Sequence, residues 1–383
     1  MARATAEAAV KEAVPGVVKP FGLQLSPAMF ALACLVVIQA ASYAVWRLFV
    51  DPKVGVWKFY PQPFNVYLFW GILVLVFIGF NCGMAGFTKI KQPASGLLAT
   101  AITIVLSFAI PGILIFGYGK FDPAFSPVKF AGHGAAGLIV LIGFYGFGVP
   151  ATGMGGWPWS DKLQQPLAGI AQIFMGAVLT VVGYLALIYP TVASWTAPDK
   201  ALMSLPTALG WFYACIVSWL TTFQVLDNWP WSAFGSRAKV ALAALFGNLV
   251  GGTVIYFGFL ALLKGVLIPP DALAKIGGGI NLWPAQLGVW IVFWLIFWPN
   301  IAGNVPTSLS PGVNRLIRFV LTWGLGILSF VVYMHWFAGN VLHEAAIIPG
   351  FGGDPLCWVD LLNYVMLIYV CYFGFYGLVK KQA

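Results

Sequence analysis

Neutral hydrogen-bonding side chains interrupt the apolar stretches of this chain at several points. Amides and phenols at similar depths in a membrane would line a narrow path for a small solute, and neighbouring phenylalanines would form hydrophobic constrictions. Hydrogen bonding between helices, at roughly 0.6 kcal/mol each, is the alternative use of any one of these polar groups. The candidate pathway residues are Gln39, Phe80, Asn81, Phe144, Tyr145, Gln172, Gln224, Asn248, Asn300, Phe375 and Tyr376.

Residues for catalysis or for a metal are sparse. The chain has three histidines and five cysteines, with no CxxC pair, no HExxH and no nucleotide-binding glycine motif. We therefore predict no catalytic residue, no cofactor and no metal. His343 and Glu344, together with His335, are one combination that would fit a metal, but we expect them to be solvent-exposed loop residues.

Charged side chains avoid the middle of every apolar stretch. A buried ionisable group is the usual mark of a proton relay or of a charged-substrate site in a membrane. The nearest candidate is Asp360, close to the beginning of the last stretch. The pattern argues against a carboxylate-based proton antiporter.

The composition shows what must hold these residues. The chain has 383 residues, of which 61% are hydrophobic and only 8% are charged, too few to cover a soluble core of this size. We predict an all-α polytopic membrane protein with ten spans: Pro27–Phe49, Asn65–Phe87, Pro93–Gly119, Ala131–Pro150, Pro166–Tyr189, Leu205–Val225, Ala238–Leu263, Leu282–Trp298, Pro311–Phe337 and Trp358–Val379.

The distribution of charge predicts the orientation. With both termini in the cytoplasm, twelve of the twenty Lys and Arg residues lie inside and eight lie outside. Residues 1–26 then form a cytoplasmic tail, either disordered or with an interfacial helix at Ala2–Val14, and residues 380–383 form a second tail. The net charge of +9 is explained by this orientation, and we predict no nucleic-acid partner.

A repeat organises the spans. The sequence WPWS occurs at Trp157–Ser160 and at Trp229–Ser232, in each case nine residues before the third residue of a similar helix start. That third residue is Pro27, Pro93, Pro166, Ala238 and Pro311 in the five odd-numbered spans, at steps of 66, 73, 72 and 73 residues.

The repeat predicts a parallel unit of about 72 residues within residues 27–379. Each unit is an even span, a short cytoplasmic loop and an odd span, and the last and first spans supply the fifth unit. Five such hairpins would close around an axis along the membrane normal, with either the odd or the even helices lining the centre. An ordinary ten-helix bundle with a solid centre is the alternative.

Some candidate pathway residues occupy similar places in this unit. Asn81 and Asn300 lie twelve and eleven residues before Pro93 and Pro311, and Tyr145 and Tyr376 occur in two copies of GFYG. A ring of five hairpins around a pore resembles the architecture of the tellurite-resistance/slow-anion-channel family, with a short local likeness at Leu25–Phe30. The resemblance is one of architecture and implies no membership.

Taken together, the sequence favours a permease or channel for a small solute in a bacterial-type inner membrane, working through a neutral polar and aromatic pathway. The expected partners are the lipid bilayer and the solute, and assembly into a homo-oligomer or a larger membrane complex is left open. The alternatives are a non-transporting membrane subunit and a membrane enzyme acting on lipid or quinone.

Overall fold

The computed structural model describes residues 22–128, 131–188 and 202–381, and the first part of the predicted N-terminal tail lies outside these ranges. Ten helices in the described part are long and apolar enough to cross a membrane, and the chain is an integral multi-pass membrane protein. Their α-helical segments, most of which continue into a π-helical turn, are α1 Pro27–Val45, α2 Phe64–Leu75, α3 Ala94–Gly112, α4 Ala131–Ala151, α5 Leu167–Gly183, α6 Leu205–Leu220, α7 Arg237–Leu262, α8 Trp283–Asn300, α9 Pro311–Val332 and α10 Pro355–Leu367.

The even-numbered helices are buried inside the odd-numbered ones. In the most apolar window of each span, the buried share of residues is 67 to 83% for the even helices and 22 to 28% for the odd helices. We call α2, α4, α6, α8 and α10 the inner helices and the others the outer helices. The sequence had left this choice open.

The inner helices contact one another in a closed cycle, in the order α2, α4, α6, α8, α10 and back to α2. Each inner helix also packs against the outer helix that follows it in the chain, and α10 packs against α1. We call the cycle the ring, and the space it encloses the ring interior. Successive crossings alternate in direction, so all inner helices begin on one side of the membrane.

The outer helices touch the ring through a narrow stripe of residues four apart. On α9 this stripe is Asn314, Arg318, Thr322, Gly326 and Phe330. A four-residue spacing forms one ridge of a helix with 3.6 residues per turn, and this ridge is what a neighbouring helix contacts. The other faces carry exposed leucine, valine and phenylalanine, as surfaces in contact with lipid do.

Every inner helix ends in the same turn. Two successive residues take left-handed backbone conformations, and the N–H of the second donates to the carbonyl six residues earlier. This bond reaches one residue further back than the 6→1 bond of a Schellman helix end. The pairs are separated by 72, 72, 76 and 71 residues, and they are Gly83–Met84, Gly155–Gly156, Asp227–Asn228, Gly303–Asn304 and Gly374–Phe375.

These turns end two inner helices earlier than the sequence predicted. A π-helical turn carries α2 to Asn81, short of the predicted Phe87, and another carries α10 to Tyr372, short of the predicted Val379. The physical reason is the left-handed pair, which cannot continue a right-handed helix. Apolar composition continues past the turn because the loop still packs against the protein.

Short elements complete the fold. β1 Gly22–Leu25, within the predicted N-terminal tail, pairs in parallel with Gly377–Lys380, bringing the described chain ends together beside α1. A second pairing is antiparallel and joins Ala346–Ile348 to Phe351–Gly352 in the loop before α10. A short helix, Pro270–Ile276, precedes α8.

Candidate functional site

A hydrogen bond crosses the ring interior. The Tyr213 hydroxyl on α6 donates to Oδ1 of Asp360 on α10 at 3.0 Å. In the cyclic order α8 lies between these two helices and contacts both. The two side chains therefore meet inside the ring, and they bring a carboxylate into an otherwise mostly apolar space.

Asp360 lies deep in this space. Its side chain is 3% exposed, and the Asn363 amide donates to its Oδ1 at 3.5 Å. Two oxygens in this group, Asp360 Oδ2 and Asn363 Oδ1, are buried without a hydrogen-bond partner. Among the described residues, the ion pairs involve other acids and none includes Asp360. We call Asp360, Asn363 and Tyr213 the central cluster.

Glycines on the inner helices make room for tyrosines beside this cluster. A Cβ on Gly288 of α8 would lie 3.1 Å from the Tyr213 ring and 3.2 Å from Val217. A Cβ on Gly71 of α2 would lie 3.1 Å from the ring of Tyr364, one residue beyond Asn363. A side chain at either glycine would have to displace its neighbour, so these positions favour glycine for packing.

A polar stripe leads to the central cluster from one end of α10. Asp354, Cys357, Asp360 and Asn363 follow one another at intervals of three residues. Residues three apart are neighbours on a helix surface, and each step of three turns the stripe by about 60°. This spacing was readable in the sequence but was not recognised there, because the stripe is diluted by leucine, valine and tryptophan.

The end of the stripe at Asp354 contacts a second buried acid, Glu344. Glu344 is 5% exposed. It accepts one hydrogen bond from the Asp354 N–H at 2.5 Å and another from the Tyr333 hydroxyl at 2.8 Å. The Asp354 carboxylate accepts from the Gln286 amide of α8 at 2.9 Å. The Cys357 thiol donates to Asn65 Oδ1 of α2 at 2.7 Å. We call Glu344, Asp354 and Cys357 the upper cluster.

Glu344 also reaches a surface cavity. The cavity has a volume of about 370 Å³ and is lined by Pro52, Lys53, Gly339, His343 and Glu344. Burial, with a smaller contribution from the Asp354 carboxylate, raises the pKa of Glu344 well above its usual range. Glu344 therefore favours the neutral form, although it lies beside the opening.

The expectation that Glu344 is a solvent-exposed loop residue was wrong. The loop folds back against Tyr333, and the acid is enclosed because this hydroxyl and the Asp354 N–H both bind it. Its neighbour His343 points to another acid, Asp51, at 2.9 Å, rather than to Glu344. In the described part of the chain, no three His, Cys, Asp or Glu side chains are close enough together to hold a metal ion.

Two of the predicted pathway residues meet at the end of α2. Asn81 donates from Nδ2 to Gln172 Oε1 of α5 and to the Phe147 carbonyl of α4, both at 3.4 Å. The Asn81 carbonyl accepts from the Gln165 amide at 2.8 Å. Asn81 Oδ1 is buried without a partner. The pair thus lies where two hairpins join.

Two more lie between the inner and outer helices. Asn248 Oδ1 on α7 accepts from Ser218 of α6 and from Thr222 in the π-helical turn after α6, both at 3.0 Å. Its Nδ2 donates to the Ala244 carbonyl at 2.8 Å. The Tyr145 hydroxyl on α4 donates to the Leu245 carbonyl of α7. These are helix-to-helix bonds, the alternative use that the sequence allowed.

Phe144 lies nearest to the ring interior among the predicted constrictions. A Cβ on its neighbour Gly143 would meet Leu73 of α2, and a Cβ on Gly148 would meet Trp219 of α6. On a helix of 3.6 residues per turn, Phe144 falls between these two directions, and it is 9% exposed. It packs edge-on against Phe69 with ring centroids 6.4 Å apart.

The structure separates the remaining predicted residues. Tyr145 is inside α4, whereas Tyr376 is 39% exposed and lies beyond α10, so the two GFYG copies occupy different places. Asn300 is exposed at the end of α8, and Phe375 packs against Phe30 with centroids 5.1 Å apart. Half-buried positions are taken by Gln39, Phe80 and Gln224.

No known protein family matches the chain, and no curated protein or solved structure matches it either.

Proposed function

We propose that this protein is a permease or channel that moves a small solute across a bacterial-type inner membrane through the ring of inner helices. The observation that carries the proposal is the central cluster, in which a carboxylate is held inside the ring by residues of α6 and α10. Burying an ionisable group inside a membrane protein is unfavourable, and such groups commonly mark a substrate or ion pathway.

The polar groups supply a route to this carboxylate from one side. Glu344 lines the surface cavity and accepts a hydrogen bond from the Asp354 backbone. From Asp354, Cys357 and then Asp360 follow at intervals of about one helical turn. Beyond the central cluster, Phe144 is the proposed constriction. A solute would enter by the upper cluster, bind at the central cluster and leave past aromatic and apolar side chains.

The hairpin repeat supports a pathway along an axis normal to the membrane. The five left-handed turns recur at nearly the same spacing as the sequence repeat, and the inner helices form a closed cycle. We propose that the five hairpins are copies of one unit related by this axis. The side that carries the WPWS loops is proposed to be cytoplasmic, because most Lys and Arg residues lie there.

The proposal revises the role of the neutral amides. Asn81, Gln172 and Asn248 are proposed to hold helices together, since each bonds across a helix interface. We propose Asp360 and Asn363 as pathway residues instead of these amides, and Phe144 remains a proposed pathway residue. The pathway is then partly acidic, unlike the neutral route expected from the sequence.

A non-transporting membrane subunit is the second candidate. The observation that favours it is the dense packing of the ring, whose helices carry almost completely buried residues such as Leu73, Val289 and Leu362. A packed centre is also what a carrier shows when its pathway is closed. Transport measurements separate the two.

The test is solute flux into liposomes that contain the purified full-length protein. A panel of monovalent cations, small anions and neutral solutes would be offered to the wild type, Asp360→Asn and Asp271→Asn. Asp271 is an exposed acid at the start of the short helix Pro270–Ile276, so it controls for loss of one charge. We expect saturable flux that Asp360→Asn abolishes and Asp271→Asn leaves unchanged. Correctly inserted wild-type protein without flux would contradict the proposal and favour the subunit.

A further inference from the structure

We infer that the central cluster is a binding site for a monovalent metal cation, with Asp360 and Asn363 as ligands. The inference deepens the proposed function by naming the class of ion that the ring accepts. Binding itself requires only the fold and can be measured without transport.

The charge of the site calls for one positive charge. A carboxylate removed from water stays ionised only beside a compensating positive charge, and otherwise it takes up a proton. Asp360 is buried, and its hydrogen bonds from Tyr213 and Asn363 both reach Oδ1, leaving Oδ2 without a partner. No ion pair among the described residues supplies a cationic side chain to it.

The chemistry of the site favours a hard cation. Its two buried oxygens without a partner belong to a carboxylate and to an amide, Asp360 Oδ2 and Asn363 Oδ1. Oxygen ligands of these types suit hard ions rather than soft transition metals. The residues are three apart on α10, so both oxygens belong to neighbouring side chains on one helix surface.

The single carboxylate of the central cluster determines the charge of the ion that the site would bind. One carboxylate balances one positive charge, whereas a divalent ion at this place would leave a net positive charge among apolar helices. The other acid of the stripe, Asp354, lies six residues earlier, about 9 Å along the helix, and is too distant to bind the same ion. Sodium and potassium are therefore the ions that the site would hold.

The upper cluster gives the cation an approach lined by oxygen atoms. Glu344 and Asp354 supply carboxyl oxygens between the surface cavity and the central cluster. The surface cavity at Glu344 places this approach within reach of solvent.

Thermal unfolding of the full-length protein in detergent tests the inference. Sodium, potassium or choline chloride would be compared at constant ionic strength, with tryptophan fluorescence as the readout. Because a ligand that binds only the folded state stabilises it, we expect sodium or potassium to raise the wild-type Tm by about 3 °C over choline. Asp360→Asn should lose this rise, and Asp271→Asn should keep it. An equal rise in Asp360→Asn, or no rise over choline in the wild type, would overturn the inference.

Equilibrium binding of radioactive sodium gives a second readout that does not depend on a change in stability. We expect saturable binding of one ion per chain, at least tenfold weaker in Asn363→Ala and absent in Asp360→Asn. Unchanged affinity in Asn363→Ala would overturn the assignment of that ligand. Sodium binding without flux would contradict the proposed transport but not the cation site, whereas flux without sodium or potassium binding would overturn the site alone.

Discussion

Tyr213 and Asp360 join two inner helices that are not neighbours in the ring. The Tyr213 hydroxyl donates to Asp360 Oδ1 at 3.0 Å, and α8 separates the two helices in the cyclic order. Gly288 of α8 lies beneath the tyrosine ring and has no side chain to block it. One hydrogen bond thus ties the interior of the ring together at the depth where its carboxylate is buried.

Replacing Tyr213 by Phe removes this hydrogen bond but keeps the aromatic ring of the side chain. We expect a loss of about 1–2 kcal/mol in the free energy of unfolding, because a buried hydrogen bond to a carboxylate is removed. Sodium affinity should change as well, since Oδ1 loses a donor. The matched control is Tyr43→Phe, at a 39% exposed tyrosine on α1, which should leave both quantities unchanged. Equal effects of the two variants would show that the bond across the ring contributes nothing.

The buried acid Glu344 predicts a pH-dependent stability. Its pKa is raised above the ordinary 4.5 by burial, so above that pH the folded state holds a proton that the unfolded state has lost. Stability therefore falls as pH rises above about 4.5, until the folded pKa is passed. Asp51 acts at lower pH: burial raises its pKa, but hydrogen bonds from Lys53, Val54, His343 and Arg47 lower it overall from 3.8.

The measurement is the unfolding temperature between pH 5 and pH 8 for the wild type and Glu344→Gln. We expect the wild type to lose stability toward pH 8 and the variant to lose less, because glutamine cannot ionise. Asp51 loses its contribution only as pH falls below its ordinary value of 3.8, outside this window. Identical slopes for the two proteins would contradict a raised pKa at Glu344.

Two glycines of α4 provide a matched test of packing in the ring. A methyl group on Gly148 would overlap the ring of Trp219 on α6, whereas one on Gly134 would meet nothing within 4 Å. Gly148→Ala should therefore cost about 1–3 kcal/mol, and it should disturb the bond from Trp219 Nε1 to Thr152. Gly134→Ala should be neutral or stabilising by up to about 1 kcal/mol, because alanine favours a helix. Chemical unfolding followed by tryptophan fluorescence compares the two variants.

Asn248 distinguishes helix packing from a role in the pathway. Asn248→Ala removes the acceptor of Ser218 and Thr222, and we expect it to lower stability by about 1–2 kcal/mol. Flux per folded protein should stay at the wild-type level, in contrast to Asp360→Asn. Gln39→Ala, at a half-buried amide on an outer helix, is the control for loss of an amide. Lost flux in well-folded Asn248→Ala would return this residue to the pathway.

The left-handed turn at the end of α8 can be tested at Asn304. This residue has φ of 54°, and its amide donates to the Gln224 carbonyl at 3.2 Å. Asn304→Ala and Asn304→Gly both lose the side-chain bond, but only glycine takes a positive φ without steric cost. The alanine variant should be less stable by about 1 kcal/mol in chemical unfolding. Equal stabilities would show that the turn does not impose the left-handed conformation.

The number of membrane helices followed from the sequence because it depends on local composition. A stretch such as Leu205–Val225 is long and apolar enough to cross a bilayer whatever its neighbours are. The spacing of Pro27, Pro93, Pro166 and Pro311 also showed where hairpins begin, since proline favours the first turn of a helix. Because both helices of every hairpin are strongly apolar, composition did not show which of them is buried.

Contacts between distant parts of the chain decided the rest. Asp360 looked like a residue near the beginning of the last span, and Glu344 like a loop residue, because sequence gives depth along a helix but not direction around it. Only the packing of α10 against α2 and α8 turns Asp360 into the ring interior. There it accepts a hydrogen bond from Tyr213, which is 147 positions earlier in the sequence. Only the tertiary structure brings these two side chains within hydrogen-bonding distance, and it thereby places a carboxylate in the ring interior.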